Sequence, residues 1–240
     1  MKLKISVCMA TYNGAAYIRE QLVSILTQLN PEDEIIISDD CSTDNTLEII
    51  SSFKDKRIKL IQNPNQASPV TNFENALKQA SGDVIFLSDQ DDIWMDNKVS
   101  KTLQLLAQYD LVLSDAIVID GEGKEIFRSF YKKNYSGKGF LFNWVNNSYL
   151  GCCLAFNRKV LDYCLPFPEK IAMHDIWIGL NAAFTFKCIH LNEPLIWYRQ
   201  HGKNTVVAFK KTHLPVYYQI SYRLYMMYHI IKRRFSRRFK

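Results

Sequence analysis

The chain lacks the glycine-rich loops by which many proteins hold nucleotide phosphates. Neither a GxxxxGK[ST] loop nor a GxGxxG turn occurs in its 240 residues, which argues against a P-loop kinase and a Rossmann dehydrogenase. Any phosphate would have to be met by a metal ion or by side chains. The six cysteines (Cys8, Cys41, Cys152, Cys153, Cys164, Cys188) form no CxxC pair and no zinc spacing, so reduced thiols in a cytoplasmic protein are expected. No apolar run is long enough to span a bilayer, and Met1-Lys2-Leu3-Lys4 does not lead into the apolar core of a signal peptide. Residues 232–240 hold six basic side chains and no acidic one. The net charge of +6 belongs to that segment, and the rest sums to zero. A basic nucleic-acid footprint across the domain is thereby disfavoured, and no nucleic-acid partner is expected.

What is present is a 48% hydrophobic chain with alternating strand and helix signals, enough for one unit with a sizeable core. Leu3–Met9, Glu34–Ile37, Arg57–Ile61, Val84–Leu87 and Leu111–Leu113 read as strands. Helices are expected over about 15–28, from a cap at Ser42 or Thr43 to Phe53, over 70–80 and over 96–108. Asn63-Pro64-Asn65 and Gly121-Glu122-Gly123 read as turns, Gly151–Phe156 as a buried strand and Met173–Phe186 as a helix. Residues 187–199 resemble two short strands split by Asn192-Glu193-Pro194. Short connections between alternating elements imply a mostly parallel sheet with helices on both faces.

In such a sheet ligands bind beyond the carboxyl ends of the strands. Four expected strand ends are polar: Thr11-Tyr12-Asn13-Gly14, Ser38-Asp39-Asp40, Asp89-Gln90-Asp91-Asp92 and Ser114-Asp115. The third is the densest. Three carboxylates crowding the end of a buried strand repel one another unless a cation compensates. Hard oxygen ligands suit Mg2+ or Mn2+ shared with a substrate phosphate. Asp39 and Asp40 can accept from a ligand's N–H or hydroxyl, or cap the next helix. Tyr12 can stack on a base or simply pack. Asp175 opens an apolar helix, as a general base or as a cap. His201 can ligate metal, contact phosphate or sit in an ordinary loop.

These blocks together resemble a family: the inverting nucleotide-sugar glycosyltransferases of family 2, with the GT-A fold. The resemblance rests on Val7–Gly14, Ile37–Asp44 and Gly82–Trp94, then on Gly151-Cys152, His174-Asp175 and Tyr198–Asn204, in order and spacing over about residues 3 to 205. The DQDDxW form looks most like the bacterial rhamnosyltransferase-like branch, which builds cell-surface polysaccharide. The resemblance implies a nucleotide-binding mixed, mostly parallel sheet over 1–118 and an acceptor-binding half over 119–210; residues 211–240 read, from their own spacing, as a basic amphipathic helical tail. It implies that Thr11, Tyr12, Asn13, Asp39, Asp40, Asp89 and Gln90 meet the nucleotide, and that Asp89, Asp91 and His201 meet a Mg2+ or Mn2+ ion. Asp175 matches the catalytic base. Asp92, Trp94, Gly151, Cys152 and His174 match the sugar and acceptor side. Where the family commonly has Glu-Asp before the base, this chain has His174-Asp175. The donor would be dTDP-rhamnose or a UDP-hexose, and the acceptor a glycan or lipid-linked hydroxyl.

In the tail, Leu224, Tyr228, Ile231, Phe235 and Phe239 fall at helical spacing beside Lys232, Arg233, Arg234, Arg237 and Arg238. A basic amphipathic helix reads as binding the inner-leaflet membrane surface. A helix packed on the domain, or on a second subunit as in a homodimer, is the competing reading. Two functional rivals stay open as well: a metal-dependent nuclease or phosphotransferase, and an inactive nucleotide-sugar-binding assembly subunit.

Overall fold

The structure, a computed structural model, describes residues 3–64, 68–202 and 215–238. Asn65, Lys203, Asn204 and Phe239, named above, lie outside them. The first half alternates as its apolar runs dictate: β1 (Ile5–Thr11), α1 (Ile18–Leu26), β2 (Glu34–Asp39), α2 (Thr46–Ser52), β3 (Ile58–Gln62), α3 (Pro69–Gln79) and β4 (Val84–Asp89). β1, β2 and β4 are buried along almost their whole length, as strands covered on both faces must be. α1 buries Ile18, Leu22 and Ile25 at steps of four and three. α3 starts where Ser68 Oγ accepts from Val70 N–H at 3.2 Å and Pro69 fits the first turn.

α2 begins later than expected. Ser42 does not cap it; its N–H and hydroxyl both donate to Asp39, at 2.8 and 2.6 Å. The intervening loop is held instead by Asp44, which accepts from Thr46 N–H and from Ala15 N–H.

The second half runs β5 (Ile93–Trp94), α4 (Lys98–Leu106), β6 (Leu111–Ile119), β7 (Glu125–Phe127), α5 (Phe130–Lys133), α6 (Phe140–Val145), β8 (Leu154–Asn157), α7 (Arg158–Cys164), α8 (His174–Thr185), β9 (Cys188–Arg199) and α9 (Val216–Arg238). Gly151–Cys153, expected to open a strand, forms a 3-10 turn ahead of β8. The two strands expected over 187–199 are one, irregular where Ser114 and Asp115 of β6 face Leu191 and Pro194. All six cysteines are free.

The sheet order is β3-β2-β1-β4-β8-β6-β9-β5, with β7 on β6. β3, β2, β1 and β4 are parallel, β8 runs against β4 and β6, and β9 is parallel to β6. Chain order leaves β1 in one direction toward β3 and returns to its other side at β4. The strand-order reversal therefore falls between β1 and β4, and the crevice that opens there beyond the carboxyl ends of the strands is where such sheets bind a ligand.

One strand end does not join this edge. β6 continues through Ala116–Ile119, so Ser114-Asp115 lies mid-strand. Asp115 is 4% exposed, and its carboxylate accepts from Ser129 Oγ at 2.5 Å and Tyr131 N–H at 2.9 Å. Those partners satisfy a polar residue inside the sheet, so it need not mark an end.

The tail helix packs on the domain by one face. Met226 and Ile230 are buried, and Arg233 and Arg237 donate to the carbonyls of Tyr163, Pro166 and Leu165. The stripe Leu224, Tyr228, Ile231 and Phe235 points the other way and is exposed.

Candidate active site

A cleft of about 2560 Å3 opens over the carboxyl ends of β1 and β4. Thr11, Tyr12, Asn13, Asp40, Asp89, Gln90, Asp91, Gly151, His174, Asp175 and His201 all line it. Asp39, Asp92, Trp94 and Cys152 do not.

The nucleotide end is framed by main-chain clips. Gln90 brackets the strand-order reversal: Tyr12 N–H donates to its Oε1 and its Nε2 donates to Tyr12 O, both at 2.9 Å. Gly14 leaves room for that clip, since a Cβ there would meet Gln90 Oε1 at 2.3 Å. Asn13 takes a left-handed conformation (φ 48°) and accepts from Thr43 N–H at 2.8 Å, fixing the loop after β2. Asp39 is 2% exposed and spends its oxygens on Thr11 and Ser42. Asp40 faces the cleft, accepting from Asn63 Nδ2 at 2.9 Å. Tyr12, in the same cleft, is 56% exposed.

The acidic turn makes two groupings. In one, Asp91 Oδ2 lies 2.9 Å from His201 Nε2, and the His201 ring stacks on Tyr17 at 4.8 Å. In the other, oxygens of the half-buried Asp89 and the buried Asp92 and the sulfur of Cys152 lie within 4.8 Å of one another. Asp92 is fully buried; one of its oxygens accepts from Arg199 N–H at 2.9 Å and the other has no partner among the described residues. Loss of water, then repulsion from Asp91 and Asp175, pushes the Asp89 carboxyl up to about 7. Burial raises Asp92 well above the ordinary range, with Asp91 and Asp89 adding to it. Burial also raises Asp91, against the pull of His201. Such a set is short of positive charge, as a hard cation would supply. Cys152 does not suit that ion: burial raises its thiol well above the ordinary range, so it stays protonated and soft.

Two buried cations steady this turn, and neither was assigned a role from sequence. Arg199, 3% exposed, donates from Nε to Asp91 O at 2.9 Å and from its other nitrogens to Gly121 O and Glu20. Its guanidinium lies 4.8 Å from the Tyr17 ring. Lys98, 1% exposed, donates to Cys152 O at 3.1 Å and sits 5.2 Å from the Trp94 ring. Trp94 itself is core, packed on Phe86. The available signal was a charged residue at the end of the apolar run Leu195–Tyr198, and a lysine at a helix position that faces inward.

At the far side α8 presents His174 and Asp175 in its first turn. Asp175 is 8% exposed, and its Oδ1 accepts from Ile176 N–H at 2.7 Å. Burial pushes its carboxyl up to about 6, offset by main-chain donors including Gly151 N–H. It is therefore mostly ionised at neutral pH and able to take a proton. The helix N-terminus favours that charge. His174 stacks on Phe73 at 3.8 Å and neither ring nitrogen has a partner among the described residues. Burial lowers it to about 3, so it is neutral. Gly151 permits this approach: a Cβ there would stand 3.0 Å from His174 Nε2.

Comparison with known proteins places this geometry. Residues 6–165 match Glycosyl transferase family 2. An uncharacterized glycosyltransferase of Nostoc is 30% identical over 216 residues, 84% of this chain and 66% of its own length. The dTDP-rhamnosyl transferase RfbG of Shigella flexneri is 30% identical over 83% of this chain and 74% of its own. The UDP-Glc:alpha-D-GlcNAc-diphosphoundecaprenol beta-1,3-glucosyltransferase WfgD of Escherichia coli is 32% identical over 73% of this chain and 69% of its own. The chain thus spans about two thirds of the length of these curated relatives. Among solved structures, S. aureus TarS in complex with UDP-GlcNAc superposes with a TM-score of 0.70 at 20% identity, over 98% of this chain and 73% of its own. That likeness establishes the GT-A fold, a mixed sheet with flanking helices and here a C-terminal helix. Fold, motif blocks and relatives agree, and the chain belongs to glycosyl transferase family 2.

Proposed function

We propose that this chain transfers a sugar from a nucleoside-diphosphate donor to a hydroxyl of a glycan or lipid-linked acceptor, with inversion at the anomeric carbon and with a divalent ion, in cell-surface polysaccharide synthesis. One observation carries the reading: Asp175 stands in the same cleft as Asp89 and Asp91, near enough to raise the Asp89 carboxyl. A base facing a cation-seeking pair suits in-line displacement better than a two-metal nuclease, whose basic residues should line the acidic site. Here the described cations nearest the acidic turn, Arg199 and Lys98, are buried and bonded to main-chain carbonyls.

In this reading Tyr12 and Asp40 hold the nucleoside, with Thr11, Asn13, Gln90 and the inward-facing Asp39 keeping those two in place. Asp89 and Asp91, with His201 at the rim, would hold Mg2+ or Mn2+. Bound there, the ion would supply positive charge against the diphosphate that leaves. Asp175 takes the proton from the attacking acceptor hydroxyl. The acceptor enters on the opposite face of the sugar, so a single displacement inverts the centre and needs no covalent glycosyl-enzyme, unlike retaining hydrolases. The neutral His174 lines the sugar and acceptor side of the cleft, its ring held flat against Phe73 beside Asp175. Residues 1–118 serve the donor and 119–210 the acceptor. RfbG and WfgD, by name, use dTDP-rhamnose and UDP-glucose types of donor, and both are carried forward.

The test is the anomeric form of the first product. The protein is given dTDP-rhamnose, UDP-glucose, UDP-galactose or UDP-N-acetylglucosamine with Mn2+, and the sugar first released to water or acceptor is followed by proton NMR. Turnover of one donor with the opposite anomer formed first is expected. First formation of the retained anomer would contradict the mechanism, and no turnover of any donor would contradict the activity.

A further inference from the structure

The tail helix α9 has two apolar faces, and among the described residues the domain packs on one of them. Met226 and Ile230 mark the inner face. Opposite them, at steps of three and four, run Tyr217, Ile220, Leu224, Tyr228, Ile231 and Phe235, each 40% exposed or more. This stripe runs from Tyr217 to Phe235 of the 23-residue helix. Helical geometry sets Lys232 and Arg234 on its two flanks. Lys232 Nζ lies 5.8 Å from the Tyr228 ring and the Arg234 guanidinium 6.0 Å from the Phe184 ring, so each stem runs beside an aromatic group. Arg233 and Arg237 lie on the inner side and are engaged with domain carbonyls. An apolar stripe between flanking cations, with Tyr217 and Tyr228 in it, is the pattern of a helix lying in a lipid interface.

The stripe is continuous with the cleft. Trp144 Nε1 donates to Arg223 O at 3.2 Å, which joins α6 to α9, and Leu141 and Val145 of α6 are exposed beside it. Tyr218, Tyr222 and Val145 line the same cleft as Asp175. We propose that α9 docks this face on an anionic phospholipid leaflet, setting the acceptor end of the cleft at the membrane surface. Charge selects this occupant over a second copy. No acidic residue follows Glu193, so α9 offers nothing to receive Lys232 and Arg234 of a partner's α9 in either orientation, whereas anionic headgroups receive both. No helix of the described residues is long and apolar enough to cross the membrane, so the contact is peripheral. The inference deepens the proposed function: it rests on that reading for its purpose, delivery of a lipid-linked acceptor, but not for its readout.

The experiment is flotation of the full chain with vesicles of phosphatidylglycerol and phosphatidylcholine, compared with phosphatidylcholine alone. Wild type is expected to float with the anionic vesicles only. Leu224→Gln/Tyr228→Gln/Ile231→Gln should bind at least tenfold more weakly, and Lys232→Gln/Arg234→Gln about 30-fold more weakly, from about a fivefold contribution per cation. These side chains lie outside the cleft lining, so donor hydrolysis by both variants should match wild type, which shows that they fold. Failure of wild type to float, or equal flotation of the triple variant, would overturn the proposal. A wild-type dimer in light scattering that the triple variant breaks would assign the face to a second copy and overturn it as well. Flotation without turnover of any donor would leave this proposal standing and remove the transferase reading instead.

Discussion

Asp175→Asn is expected to lower turnover by about 10^2 to 10^4-fold while leaving nucleotide binding intact, because it removes the base and nothing that touches the nucleoside. The wild-type kcat/KM should show an acid limb near pH 6, where Asp175 takes up its proton. The same substitution should stabilise the protein. Its carboxyl sits at about 6 in the fold against an ordinary 3.8, so the folded chain holds this proton more tightly than the unfolded one. The stability that this provides is complete below about pH 4 and is lost as pH rises through about 6. Asparagine carries no charge to strip of water, and its side-chain oxygen can still accept from Ile176 N–H. At pH 8 the variant should therefore gain up to about 3 kcal/mol, and near pH 4 nothing. Thermal melts at the two pH values, beside steady-state rates, check both halves. A variant that is inactive and less stable at pH 8 would mean that Asp175 is a structural cap rather than a base.

Arg199→Met should have the next largest effect, and through positioning rather than contact. The guanidinium ties the main chain of Asp91 to the turn at Gly121 and to Glu20 on α1. Its removal strands buried carbonyl oxygens, each costing about 1–3 kcal/mol, and lets the acidic turn relax. The expected result is a lower Tm together with a donor KM raised at least tenfold. Arg199→Lys should rescue little, since an ammonium cannot span three separate acceptors with a fixed fork. A wild-type Tm and KM in Arg199→Met would show that the turn holds its shape without this residue.

Much of the site was legible because strand ends are local. Tyr12, Asp40, Asp89 and Asp91 each follow a short apolar run, and parallel pairing brings those ends to one edge. Asp115 misled because its partners, Ser129 and Tyr131, belong to a later segment whose docking leaves no mark near it in sequence. Asp92 and Trp94 turn inward because the two residues of β5 pair with Trp197 and Ile196 of β9, a long-range contact that periodicity over so short a strand cannot announce. Arg199 and Lys98 bond to main-chain carbonyls, which every residue carries, so their partners have no residue-type signature. The tail's spacing was visible, but the face it picked out proved to be the outer one, while the domain holds the helix by Met226 and Ile230.

The central claim is that the acidic turn and the cleft above it bind a nucleoside diphosphate through a divalent ion. Titration calorimetry tests it most directly, with dTDP, UDP and GDP each added to wild type and to Asp91→Ala, with and without Mn2+. The account predicts that one of dTDP or UDP binds to wild type only when Mn2+ is present, and that Asp91→Ala loses this binding. Binding of none of the three with Mn2+ present, or equal binding by the variant, would contradict it.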